Sequence, residues 1–223
     1  KTPTVELFNS LSPGLGPTLK ELSFQFFSNT AEHLVLRPDH TTPIARLVST
    51  QLKNRTLPLA LFYCDPVFRK SKEHTQTDSE LYQVGCELIG SPAADTDADV
   101  IIHALELLKK LGLSDCRVDI GHNDFVNDLS TEKKDALLRL DYARFGNIPK
   151  QGKGDLVEDH PHLHRVFNYL RDRGYDDSVF FNKGLVKHIH YYSGIIFEIS
   201  HPGFRSIIAS GGRYDHLLEK YGY

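Results

Sequence analysis

The 223-residue chain contains no methionine and no tryptophan, and only three cysteines. Cys64, Cys86 and Cys116 are odd in number, widely spaced and form no CxxC pair. That spacing argues against a disulfide framework and a cysteine zinc site, and makes a reducing, cytoplasmic setting the expectation. Long apolar runs are missing, as is an apolar leader, so neither a membrane span nor a signal peptide is expected. An excess of positive charge is missing too. Lys and Arg total 26 against 29 Asp and Glu, a net charge of -3. Such a balance exerts no global pull on nucleic acid, and tRNA is not an expected partner. A methionine-free chain that starts at Lys1 reads either as a fragment or as a sequence from which residues are missing.

What is present is ordinary for a globular protein: 40% hydrophobic and 25% charged residues. The length suits one large domain over 1–223, with room for an insertion near 123–175. Leu19, Leu22, Phe26 and Phe27 give Pro17–His33 a mostly helical spacing. Leu34–Leu36 reads as a strand. Thr41 and Thr42 before Pro43 look like an N-cap with proline at the first helical position, opening a helix over Pro43–Lys53. Leu59–Tyr63 is strand-like, interrupted by Asp65-Pro66 and resumed at Val67-Phe68. Glu80–Ile89 is a second strand beyond the polar stretch Lys70–Ser79, and the two predict an antiparallel hairpin. Asp97–Leu111 carries the clearest helical stripe. Arg117–Ile120 is a strand, Ser130–Tyr142 and His160–Arg173 are helices, and Pro149–Gly154 is a linker. Val179–Phe181, Gly194–Ile199 and Ser206–Ala209 are strands, and Tyr214–Tyr221 closes as a helix. The sum is an α+β fold, an antiparallel sheet flanked by helices.

Alternation places Gln83, Gly85 and Glu87 on one face of their strand. The glycine leaves room above it for a small ligand, and a carboxylate there suits an ammonium group. The same pattern also describes the solvated face of a half-exposed strand. Ser210-Gly211-Gly212-Arg213-Tyr214-Asp215 lies between a strand and a helix. There, glycines would let a ligand approach and Arg213 could meet a phosphate or carboxylate; most such turns are only turns. The twelve histidines make no metal site by spacing: His160, His162 and His164 would not share a helix face. No cofactor signature and no GxSxG-type nucleophile stands out.

Taken in order, these segments resemble the class II aminoacyl-tRNA synthetase core, specifically its histidyl branch. Leu36-Arg37-Pro38-Asp39-His40-Thr41-Thr42-Pro43 is similar to that family's LRPE/D-x-T segment. Asp65-Pro66-Val67-Phe68-Arg69 resembles motif 2, leading on to Gln83-Val84-Gly85-Cys86-Glu87. Leu185–Tyr192 is similar to the histidine-specific LVRGLDYY, Ser210–Asp215 to the GGGRYD of motif 3, and Thr2–Glu6 to the segment after motif 1. The departures cluster on the ATP side. The arginine of LVRGLDYY falls at Lys187 and its aspartate at His190. The motif 2 arginine is kept as Arg69, but the adenine-holding glutamate falls at Ser71. Thr77 and Ser79 occupy positions that are basic in synthetases. The motif 3 arginine is Arg213.

On the histidine side, Asp39, Thr41, Gln83, Glu87, Tyr191 and Tyr192 match the family. An amino-acid pocket without its ATP machinery resembles the regulatory subunits of ATP phosphoribosyltransferase, synthetase paralogues that charge no tRNA. The resemblance implies a non-catalytic protein that partners a short catalytic subunit in the first step of histidine biosynthesis. It also implies free histidine as the effector and a synthetase-type dimer within a hetero-oligomer. The alternatives are a truncated histidyl-tRNA synthetase (a histidine-tRNA ligase) and a synthetase-like sensor domain that binds tRNA without catalysis.

Overall fold

The computed structural model describes residues 1–70, 79–187 and 191–223. These form two compact units: residues 1–70, 79–91, 191 and 215–223, and residues 92–187 and 192–214.

In the first unit, strand β1 (Val5–Leu7) is followed by helix α1 (Phe8–Leu11) and helix α2 (Pro17–Leu22). Strands β2 (Gln25–Phe27) and β3 (His33–Leu36) come next, and the three strands make an antiparallel sheet in the order β1-β3-β2. The helix expected over Pro17–His33 therefore ends early. Ser23 is buried and its hydroxyl donates to the Lys20 carbonyl at 2.8 Å, and the next residues extend into a strand. Helix α3 spans Thr41–Thr50, and His40, not a threonine, is its cap residue. It buries Ile44, Ala45 and Val48 along one side.

Strands β4 (Leu59–Phe68) and β5 (Glu80–Ile89) form the expected hairpin, paired from Leu59↔Ile89 to Phe68↔Glu80. Asp65-Pro66 does not interrupt β4. A two-stranded ribbon has an open edge on each strand, so a proline lacking an N–H costs no ladder bond on that side. The Pro66 carbonyl also accepts from Arg37 Nε at 2.8 Å. The closing segment is a short 3-10 turn, Leu218–Tyr221, rather than a helix from Tyr214. Its Leu217 and Leu218 are buried, and the Leu218 carbonyl accepts from Ser49 of α3.

The second unit begins with helix α4 (Ala94–Lys110) and strand β6 (Arg117–His122). Helices α5 (Thr131–Leu138) and α6 (Tyr142–Phe145), strand β7 (Gln151–Gly152), helix α7 (Pro161–Arg171) and strands β8 (Val179–Asn182), β9 (Ile195–Ser200) and β10 (Ala209–Gly212) follow. The sheet order is β10-β9-β6-β8-β7. All pairs are antiparallel except β6 with β8, which the helical crossover between them makes parallel. The Pro149–Gly154 linker thus contributes an edge strand.

Val118, Ile120, Val179, Phe181, Ile195, Phe197 and Ile199 form the sheet's contribution to the core. Ala98, Ile101 and Leu105 of α4 and Leu163, Val166 and Leu170 of α7 complete it. Burying one such side chain contributes roughly 1.5–3 kcal/mol.

The last strand lies further along than its expected span, Ser206–Ala209. Ala209 pairs with Ile199 and Gly212 with Ile196, so the Gly-Gly pair is strand, not turn. A methyl group at Gly211 would lie 2.6 Å from the Phe197 ring, and one at Gly212 2.8 Å from Tyr192. These glycines let aromatic rings, not a ligand, lie against the backbone.

Candidate functional site

In the first unit, the turn between β3 and α3 carries the densest polar geometry. Arg37 is only 1% exposed. It donates from Nε to the Pro66 carbonyl and from a terminal nitrogen to the Thr2 carbonyl at 2.9 Å. A guanidinium satisfied by carbonyls acts as a strut, tying the end of β3 to β4 and to the first residues. His40 donates from Nε2 to the Asp65 carbonyl at 3.0 Å and stacks on Tyr63 with 4.4 Å between ring centres. Burial pushes the His40 pKa below its ordinary value. Arg69 also acts as a strut, donating from Nε to the Pro38 carbonyl at 2.5 Å.

Held this way, Asp39 points inward at the N-terminus of α3. One of its oxygens, Oδ2, accepts from Thr42 Oγ1 at 2.9 Å and from the Tyr191 hydroxyl at 3.3 Å. The other, Oδ1, is buried and has no hydrogen-bond partner among the described residues. Burial raises the Asp39 pKa above the usual carboxylate value, opposed by the Thr42 hydrogen bonds and the Arg69 charge. A buried carboxylate oxygen without a donor is costly, so such an atom marks a place for a cationic or N–H-bearing group.

Next to it, Thr41 donates to Glu87 Oε1 at 2.7 Å, and Glu87 is 5% exposed. Gln83 lies on the same face of β5, with its Oε1 also buried and without a partner among the described residues. The expected space above Gly85 is not open, because a Cβ there would collide with the Tyr63 hydroxyl and ring. The first unit thus joins Tyr191 to Asp39 and Thr41 to Glu87, and it leaves one buried oxygen each on Asp39 and Gln83 without a partner among the described residues.

The remaining expected positions lie in the second unit or outside the described residues. The Tyr192 carbonyl accepts from Asn123 at 2.6 Å. Lys187 is ion-paired to Glu198 of β9, and both are largely buried. Arg213 makes a two-pronged contact with Asp97 of α4, at 2.7 and 3.3 Å, and also donates to the Ala93 carbonyl. Asp97 additionally takes His162 Nε2 at 2.6 Å. The carboxylate anticipated for Arg213 is therefore one of the chain's own. Ser71, Thr77 and His190 fall outside the described residues.

Sequence reasoning missed Arg37, His40, Asp97 and Glu198. Their partners are 11 to 116 residues away, and no local pattern exposes such pairs. It also found no histidine cluster, whereas the fold brings together His122 at the end of β6, Asp124 in the following 3-10 turn and His160 before α7. Burial pushes the His122 pKa down to about 4.

The family model described as histidyl-tRNA synthetase matches residues 1–143 and 148–223. The chain is 33% identical to the ATP phosphoribosyltransferase regulatory subunit of Halothermothrix orenii, over 99% of this chain and 62% of that protein. It is also 33% identical to the protein of that name from Desulfitobacterium hafniense (strain DCB-2), over 99% of this chain and 67% of that one. The chain thus spans somewhat under two thirds to two thirds of the curated relatives it matches. Among solved structures it resembles the ATP phosphoribosyltransferase regulatory subunit/histidyl-tRNA synthetase of Bacillus halodurans C, with a TM-score of 0.87 and 29% identity. That match covers 99% of this chain and 68% of the other. No helix among the described residues is long and apolar enough to cross a membrane.

Proposed function

The chain belongs to the histidyl-tRNA synthetase family, in its branch of ATP phosphoribosyltransferase regulatory subunits, and we propose that it serves such a subunit as its histidine-sensing, non-catalytic domain. The observation that carries this reading is the contrast between its two sets of polar residues. On the amino-acid side, Asp39 Oδ1 and Gln83 Oε1 are buried and without partners among the described residues, and the Glu87 carboxylate is buried and takes Thr41. Such oxygens suit the ammonium and imidazole N–H groups of free histidine. On the nucleotide side, Lys187 and Arg213 are engaged by Glu198 and Asp97. A cation already neutralised by a nearby carboxylate has little field left for the charge that develops on a phosphate.

In this reading the chemistry of phosphoribosyl transfer lies on a separate short catalytic chain, and histidine bound here adjusts that chain's activity. Self-association as a synthetase-type dimer is supported by the outer face of the β4–β5 hairpin. Phe62, Tyr82 and Val84 are 88%, 77% and 58% exposed there, more apolar surface than a solvated face needs. Three free cysteines accord with a reducing cytoplasm.

The test is calorimetry of histidine with the purified protein, followed by sizing and phosphoribosyl-ATP assays with a short catalytic chain. Histidine binding and a co-eluting, histidine-inhibited complex are expected. A catalytic chain fully active alone, with no complex formed, refutes the reading.

A further inference from the structure

The cluster of His122, Asp124 and His160 borders the Asp97–His162 pair, with 6.2 Å between the His122 and His162 ring centres, and asks for its own explanation. Asp124 Oδ2 sits 3.3 Å from His122 Nδ1 and 3.2 Å from His160 Nε2. All three candidate ligand atoms lie within 4.8 Å of one another. Metal–ligand bonds of about 2.0–2.1 Å in tetrahedral geometry place neighbouring ligand atoms about 3.3–3.4 Å apart. The two carboxylate–imidazole separations match that edge.

Hydrogen bonding inside the cluster leaves one contact unaccounted for. The Asp124 backbone N–H donates to His122 Nδ1 at 3.2 Å, so that nitrogen presents a lone pair, not a proton. The same nitrogen lies 3.3 Å from the Asp124 carboxylate oxygen, which is also electron-rich, and an ion bound at Nδ1 would take over the lone pair now held by that N–H. Two acceptors that close, with no proton between them, repel unless a cation is shared. His160 Nε2 approaches the same oxygen, while its Nδ1 accepts from the Leu163 N–H at 3.3 Å as the cap of α7.

We propose that His122, Asp124 and His160 bind a divalent transition ion of the zinc class, two imidazole nitrogens and one carboxylate oxygen supplying three ligands and water completing the shell. The donor set suits zinc or cobalt rather than magnesium or calcium, which prefer oxygen-only shells. The cluster is open to solvent on its Asp124 side, with that side chain 60% exposed, so ions and water have access. Binding through His160 Nε2 moves the imidazole proton to Nδ1 and surrenders the weak cap bond to Leu163. In exchange the ion joins the end of β6 to the start of α7 across the 36 residues that separate Asp124 from His160. The ion would thus brace one crossover of the sheet; no chemistry is assigned to it.

The experiment is titration of the metal-stripped protein with zinc by calorimetry, and with cobalt by visible absorption, for wild type, Asp124→Asn and His160→Gln. Asp124→Asn is nearly isosteric at an exposed position, so it keeps the fold if His160→Gln does not; circular dichroism checks both. One ion per chain, a raised Tm, and at least roughly tenfold weaker binding in each folded variant are expected, since disturbing even an outer-shell partner costs 10–100-fold. Cobalt should show ligand-field bands without thiolate charge transfer. Absence of stoichiometric binding overturns the proposal. So does unchanged affinity in Asp124→Asn, or a thiolate band, which would place the ion on the exposed Cys64 and Cys86 instead.

Discussion

Replacing Asp39 by Asn separates a binding role from a structural one, because the two roles predict opposite patterns. In the structure, Oδ2 accepts from the Thr42 and Tyr191 hydroxyls, whereas Oδ1 is buried and idle among the described residues. Asparagine keeps an oxygen for the Thr42 and Tyr191 hydroxyls and removes the buried charge. It also puts an amide N–H₂ where the idle oxygen was, a buried donor costing about 1–3 kcal/mol if unmet. Relief of the charge offsets part of that, so the free protein should change by no more than about 2 kcal/mol.

If Oδ1 holds the histidine ammonium, loss of that ion contact should cost about 2–5 kcal/mol of affinity. At about 1.4 kcal/mol per tenfold, this is roughly 30-fold to several thousandfold. Protons provide a second readout. The folded-state pKa of Asp39 is raised, so between the ordinary carboxylate value and the raised one the folded protein holds a proton that the unfolded chain has released. This group therefore stabilises the fold at low pH and ceases to as pH rises through its raised pKa. An ammonium arriving at Oδ1 displaces that proton. Wild-type calorimetry below that raised value should then show a stronger dependence of the binding heat on the buffer's ionisation heat than Asp39→Asn does. If the variant loses more than about 3 kcal/mol of stability while histidine affinity and proton release stay unchanged, Asp39 serves only to hold Thr42 and Tyr191.

Arg213→Ala leaves the largely buried Asp97 with the His162 imidazole as its remaining side-chain hydrogen-bond partner, and should cost about 2–4 kcal/mol in urea unfolding. Arg213→Lys should recover only part, because a lysine cannot reproduce the two-pronged contact. Gly85→Ala drives a methyl group into Tyr63, which must leave its stack on His40; a loss of about 1–3 kcal/mol and weaker histidine binding are expected by thermal shift. Histidine-dependent pyrophosphate exchange should be absent, given the engagement of Lys187 and Arg213; turnover at a synthetase rate would instead establish a ligase.

Local pattern alone delivered several elements of this protein. The β4–β5 hairpin was legible because alternation and a polar interval are written into neighbouring residues. The stripe of α4 and the strand nature of 34–36 were equally local. The order of the motif-like segments carried the family. Element ends were not legible where a distant group sets them. Arg37, 29 residues away, donates to the Pro66 carbonyl within β4, and pairing with β9 moves the last strand onto Ser210-Gly211-Gly212. The polar constellation shows the same division. Residue types at 39, 41, 83 and 87 were readable as candidates, but that Asp39 keeps one oxygen idle while Thr42 and Tyr191 occupy the other depends on partners 3 and 152 residues away. The identity of a side chain is a local fact; whether its charge is buried, paired or left over is set by what the fold places beside it. That is why Arg213, a phosphate-seeking residue by type, is an internal ion-pair partner by structure, and why His122, Asp124 and His160 meet though no spacing joins them.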